Sequence, residues 1–284
     1  MVGKMNRKLM LTLVITMGLA ACSSFKIMYD FADDYIKQEA KFFLKFDEQG
    51  EQHLNDQVDK MMEWHNAIML PRYAAYLRQL ANQLDHGLYG ATAITKGMKD
   101  GRILLQNTVA GVAPYVARIL VRQTIIENIE HLRLKLIERS KEQKEKLARP
   151  IEKQTEDRTE RLTKNVGRFM GDLNEIQNNL INRYAKSTIN DAKRRLDNRN
   201  LRQSALLTFL AGKPNEMEID AFISQIVLRA HEIVDPDYKG YSEKRIARFT
   251  TLLVNIFAAS TNDQRQATSE KLRSYAQDFS EISN

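Results

Sequence analysis

Cysteine is almost missing from this chain, since Cys22 is the only one in 284 residues. One thiol excludes a disulfide framework and any cysteine-built metal site. Proline and glycine are scarce as well, at 5 and 12 residues. With so little turn chemistry and no segment of sustained period-two alternation, a β-sheet has no support. The five histidines, His53, His65, His86, His131 and His231, never fall into H-E-x-x-H or H-x-x-x-H spacing, so no metal is expected. A glycine-rich phosphate loop and a G-x-S-x-G elbow are also missing, and Ser, His and Asp are scattered without a local signature. No cofactor and no enzymatic reaction are therefore expected.

What is present begins at the N-terminus. The apolar run Leu9 to Leu19 is too short for a bilayer, which needs roughly 20 apolar residues. Lys4, Arg7 and Lys8 precede or open it and small residues close it, the order of a secretory signal peptide. The closing tetrapeptide Leu19-Ala20-Ala21-Cys22 resembles the lipobox of bacterial lipoproteins. That resemblance implies a diacylglycerol on the Cys22 sulfur, cleavage just ahead of it, and Cys22 as the first mature residue. By the same likeness, Ser23 in place of an Asp implies the outer membrane, on its periplasmic face. Each buried methylene contributes about 0.8 kcal/mol, so two or more acyl chains hold a protein stably. The organisation expected is a signal peptide over 1–21, a lipidated tether over 22–29 and an all-helical periplasmic domain over 30–284. A sub-division near 150–160 is the alternative.

The formal charge of +7 and a pI near 9.3 would, read alone, suggest nucleic acid. Export removes that partner, and Lys4, Arg7 and Lys8 leave with the leader. An anionic headgroup layer or an acidic envelope protein fits the remainder better.

Leu, Ala, Lys, Arg, Glu and Gln are plentiful, and their order is helical. Phe31, Tyr35, Phe42, Phe43 and Phe46 follow at mainly helical spacing and are read as core-facing, with a dip into the headgroup region as the alternative. Leu54, Val58, Met61, His65, Met69, Tyr73, Tyr76 and Leu80 make one apolar stripe. Pro71 falls within that stripe and predicts a kinked helix, or two helices nearly in line. Gly97, Gly101 and Gly111 suggest short helices or a turn-rich connector over 91–113, and Pro114 suits a helix N1 position. From Glu138 to Arg161 the chain is almost wholly charged around Pro150, read as a solvated helical hairpin or as partly disordered. A heptad-like seam runs from Leu162 through Ile176 to Tyr184. Asn174 to Gln177, Asn215 to Glu218 and Thr261 to Gln264 have capping-box spacing. Lys193, Arg194, Arg195, Arg199 and Arg202 form a basic cluster, by default a solvated face and alternatively a membrane-facing patch. The fold class expected is all-α, a multi-helix bundle with long amphipathic helices and a charged hairpin.

One local constellation stands out: Trp64 and His65, followed by Pro71, Arg72 and Tyr73. It holds the only tryptophan and a helix-breaking proline, and reads either as a partner-binding notch or as a core that shapes a bent helix. The lipobox, the run Phe31-Ala32-Asp33-Asp34-Tyr35 and the pattern from Trp64 to Ala74 are similar to a family of uncharacterised proteobacterial lipoproteins with a domain of unknown function. That resemblance implies a helical, outer-membrane-associated periplasmic protein and no activity. The helix starts at Asn174 and Thr261 more distantly resemble motifs of small helical periplasmic chaperones and stress sensors. The expected role is a non-enzymatic, lipid-anchored interaction module whose partners are the membrane, through acylated Cys22, and an envelope protein. A chaperone-like or stress-sensing role is the alternative.

Overall fold

The computed structural model describes residues 23–283. The leader and Cys22 lie outside them. Among the described residues there is no strand, and helix follows helix with few residues between. In chain order they are α1 (Ser23–Asp30), α2 (Ala32–Phe43), α3 (Glu48–Trp64), a π-helical turn (His65–Met69), α4 (Leu70–Asp85), α5 (Ala91–Leu120), α6 (Ile126–Leu147) and α7 (Ile151–Met170). Then come α8 (Glu175–Ser187), α9 (Asp191–Ala211), α10 (Glu216–Leu228), α11 (Tyr238–Ala258) and α12 (Asn262–Ile282). Residues from Ser23 on are therefore already helical, inside the stretch expected as a tether.

Local chemistry sets most of the boundaries. Asp47 caps α3 by accepting from the Gly50 N–H at 2.7 Å. Asn174, Asn215 and Thr261 each form a complete capping box with Gln177, Glu218 and Gln264. Gly87 and Gly171 take left-handed backbone at the ends of α4 and α7, the conformation that stops a helix. The boxes of α8 and α12 are also joined: the side-chain amides of Gln177 and Gln264 exchange hydrogen bonds of 3.0 and 2.9 Å in the interior. Two local start signals thereby become one tertiary contact.

Pro71 does not kink a continuous α-helix. It sits at the start of α4, and the turn before it widens to π geometry, with the Leu70 N–H reaching back to the His65 carbonyl. A proline that cannot donate to the Ala67 carbonyl is thus absorbed by one wide turn. The segment 91–113 is neither a set of short helices nor a connector; it belongs to a single helix, α5, with Pro114 inside it. Its glycines are packing sites. A Cβ on Gly111 would lie 1.9 Å from the Trp64 ring, one on Gly101 2.7 Å from the Tyr76 hydroxyl, and one on Gly97 3.0 Å from Leu80. The cost of glycine in a helix is accepted where another helix must come close.

Helix α5 packs on α3, α4, α10 and α11. With the turn after it, it is long and apolar enough to cross a membrane by length and composition, and 17% of that apolar window is buried. One core gathers Leu44, Ala117, Leu120, Ile129, Leu132 and Leu210 from the ends of α2, α5, α6 and α9. A second joins Met170, Ile181, Leu252 and Ile256 of α7, α8 and α11. A third seats Leu54, Val58 and Met61 of α3 on Val112, Tyr115 and Ile119 of α5. The charged stretch around Pro150 is helical on both sides, α6 lying on α9 and α7 on α8 and α12. Ile176, placed by spacing in a heptad seam, is 62% exposed, because Gly171 divides that seam between two helices.

Replacing Gly111 by Ala should destabilise the protein by about 1–3 kcal/mol, the range for overfilling a packed interior. Gly97→Ala, which meets only the flexible end of Leu80, should lose less. Urea midpoints measure both, and an unchanged midpoint for Gly111→Ala would contradict the close contact with Trp64.

Candidate functional site

The residues singled out between Trp64 and Tyr73 divide into two groups. Trp64, His65 and Tyr73 turn inward and are partly buried, whereas Pro71 and Arg72 are exposed. Five elements meet there. Trp64 from the end of α3 fills the gap above Gly111 and approaches Tyr115 of α5. The Tyr73 hydroxyl of α4 is hydrogen-bonded to Thr108 of α5, and its ring packs on Phe279 of α12 at 6.0 Å. Phe25 of α1 sets its ring edge against Phe279 at 4.8 Å.

Tyr29, also on α1, stacks on the His65 ring at 5.9 Å and places its hydroxyl 2.8 Å from Nδ1. That hydroxyl donates to the Asn66 side-chain oxygen. A phenol has one proton, so Nδ1 of His65 is the donor toward Tyr29. Burial, with Tyr73 close by, pushes the Tyr29 phenol up to about 12. Burial also pulls the His65 imidazole below its ordinary value. Both rings therefore stay neutral near pH 7. The arrangement fastens α1 to the π turn, and it brings no carboxylate to His65.

Two concave regions were not legible as sites. The first is an apolar cavity of about 370 Å³ between α4, α5, α7, α11 and α12, lined by Leu80, Met98, Phe169, Phe249 and Leu272 among others. Its few polar neighbours are already committed or marginal: the Tyr76 hydroxyl donates to the Gly97 carbonyl, and Thr268 donates to the Gln264 carbonyl. Leu80, Phe169, Phe249 and Leu272 read in sequence as members of helical apolar stripes, whereas Ile94 and Met98 fell in the segment expected as short helices or a connector, and the gap between them is new. The second is a cleft of about 380 Å³ between the end of α6, α7 and α9, lined largely by Arg and Lys. Among the described residues, no group of three or more His, Cys, Asp or Glu converges as a metal site.

The N-terminal aromatics depart from their expected placing. Phe43 and Phe46 pack into the first core, but Phe31 and Tyr35 are 62% and 63% exposed. Ile27 and Met28 are exposed beside them. At positions 27, 28, 31 and 35 these four lie along one side of α1 and α2, while Phe25, Tyr29 and Ile36 pack inward.

Comparison with protein families matches residues 43–239 to a family of unknown function, DUF6279. That span holds the Trp64 to Tyr73 constellation and the basic cleft, and leaves outside it both α1 and α12. No curated protein and no solved structure matches the chain.

The lowered imidazole value of His65 fixes the sign of one pH effect. The unfolded chain takes up that proton more readily than the folded one, so the stability linked to His65 is complete above pH ~6.5 and is lost as pH falls below it. Urea midpoints should therefore fall between pH 7 and pH 5, and His65→Asn should flatten that slope. Equal slopes in the two proteins would contradict a half-buried neutral imidazole.

Proposed function

We propose, for a chain that belongs to the DUF6279 family of unknown function, that it works as a non-enzymatic helical module tethered by acylated Cys22 to the periplasmic face of the outer membrane. The observation that carries this reading is the exposed stripe of Ile27, Met28, Phe31 and Tyr35, which begins five residues after Cys22. Aromatic and aliphatic side chains of this kind are stable at the boundary between headgroups and acyl chains. Asp30 and Asp34 flank the stripe, so apolar contact rather than charge seats it.

The inward side of α1 makes the seat rigid. Phe25 against Phe279, and Tyr29 against His65 and Asn66, prevent α1 from acting as a loose leash. A body fixed this way meets the membrane in one orientation and presents its remaining surface to envelope partners.

The apolar cavity favours a second reading, a chaperone-like or envelope-stress-sensing role in which an apolar segment of a client enters between α4, α7 and α11. The paired starts of α8 and α12, joined through Gln177 and Gln264, form part of the same helical frame.

Photocrosslinking in intact cells tests the tethered reading. A photoreactive residue at Phe31 or Tyr35 should label lipid, and one at Met217, an exposed residue 80% open to solvent, should label little. Equal lipid labelling from all three positions would contradict a membrane seat on α1 and α2.

A further inference from the structure

The cleft between α6, α7 and α9 carries six cations, Lys146, Arg149, Arg158, Arg161, Arg195 and Arg199, and a single carboxylate, Asp157. Asp157 is already engaged, since Arg149 bonds to it at 2.7 Å and Lys153 reaches it at 3.5 Å. Lys146 turns to Glu142 at 2.6 Å. Arg158 spends one amino group on the Thr188 hydroxyl at 2.7 Å, and its Nε is buried without a partner. Among the described residues, Arg161, Arg195 and Arg199 make no ion pair and no side-chain hydrogen bond.

Two cations of the same helix that point elsewhere are paired. Lys193 bonds to Asp197 at 2.9 Å, and Arg194 bonds to Asp235 at 2.7 Å. Arg248 of α11 forks onto the buried Asp191 at the start of α9, with both contacts at 2.9 Å. Lys193 and Arg194 outside the cleft are thus paired, whereas Arg202 of the same helix, also outside it, keeps a buried Nε without a partner; inside the cleft Lys146 and Arg149 are paired and Arg161, Arg195 and Arg199 are open. Burial, joined by the like charges of Arg195 and Arg161 and opposed by Tyr184 and the buried Asp191, lowers the Arg158 guanidinium from its ordinary value. Packed guanidinium groups repel one another unless an anion sits among them.

The chemistry of that anion follows from the donors. Guanidinium forks bind planar or tetrahedral oxyanions through two parallel N–H bonds, and several forks together need more acceptor oxygens than one carboxylate offers. Leu147, Ile189 and Leu196 supply apolar lining that limits competing water. We propose that this cleft binds a phosphate-bearing anion, with Arg158, Arg195 and Arg199 as its principal ligands. This site is independent of the membrane seat on α1.

Isothermal titration of the full chain in neutral detergent tests the site, using inorganic pyrophosphate and glycerophosphoglycerol, the deacylated headgroup of an anionic lipid. Saturable binding of at least one probe is expected. Tighter pyrophosphate binding points to a soluble phosphate compound, and tighter glycerophosphoglycerol binding points to a lipid headgroup. Arg195→Gln and Arg199→Gln remove no internal bond and should each weaken binding by about tenfold. Lys193→Gln removes the same charge outside the cleft and should change affinity less than about twofold. If Arg195→Gln fails to fold, Arg199→Gln carries the test alone. No saturable binding of either probe, or an equal loss in Lys193→Gln, would overturn the proposal.

Discussion

Helix α12 lies antiparallel along α4, and this contact closes the molecule by bringing the end of the chain back to its beginning. Ser269 donates to Asp85 at 2.6 Å, Arg273 bonds to Asp85 and Asn82, and Arg78 donates to Ser280 at 2.7 Å. Farther along the same pair, Phe279 covers Tyr73 and receives Phe25 from α1. Without α12 the first helix would keep Tyr29 on His65 and Asn66 but lose the seat of Phe25, and Tyr73 would lose the ring that covers it. The apolar cavity would also lose the wall formed by Thr268 and Leu272. The docking of α1, the aromatic cluster and the cavity therefore depend on one interhelical contact between residues about 200 positions apart, such as Arg78 and Ser280.

Features written within a few residues were legible in the sequence. The boxes at Asn174, Asn215 and Thr261 needed only a side chain and the backbone three residues on, and all three form. The all-helical architecture followed from periodicity in the same way. Features that depend on a distant neighbour were not legible. Gly97, Gly101 and Gly111 look like breaks until Leu80, Tyr76 and Trp64 are seen lying against them. Phe31 and Tyr35 share helical spacing with true core residues, and spacing alone does not say which side has a partner. Pro71 announced an irregularity, but whether the chain bends or widens depends on how α3, α4 and α5 pack around it.

The candidate site shows the same division. Trp64 as the only tryptophan, His65 as a histidine on an apolar stripe and Tyr73 beside Pro71 were singled out in the sequence, and in the folded chain they act as a fastening that joins α1, α3, α4, α5 and α12. The basic run on α9 was visible as composition, whereas its division into paired and open cations required α7, α11 and the loop around Asp235. Three surfaces result, each of different chemistry: an apolar stripe on α1 and α2, a cavity between the helices and a cationic cleft. Only the first is tied by sequence to Cys22, and for this reason attachment at that residue is the premise of the functional account.

Intact-protein mass spectrometry of the chain extracted from cell membranes tests that premise most directly. A mature species beginning at Cys22 is expected, heavier than its residues by a diacylglycerol on sulfur and an acyl chain on the amino group. A free thiol at Cys22, or a chain still carrying residues 1–21, would contradict it.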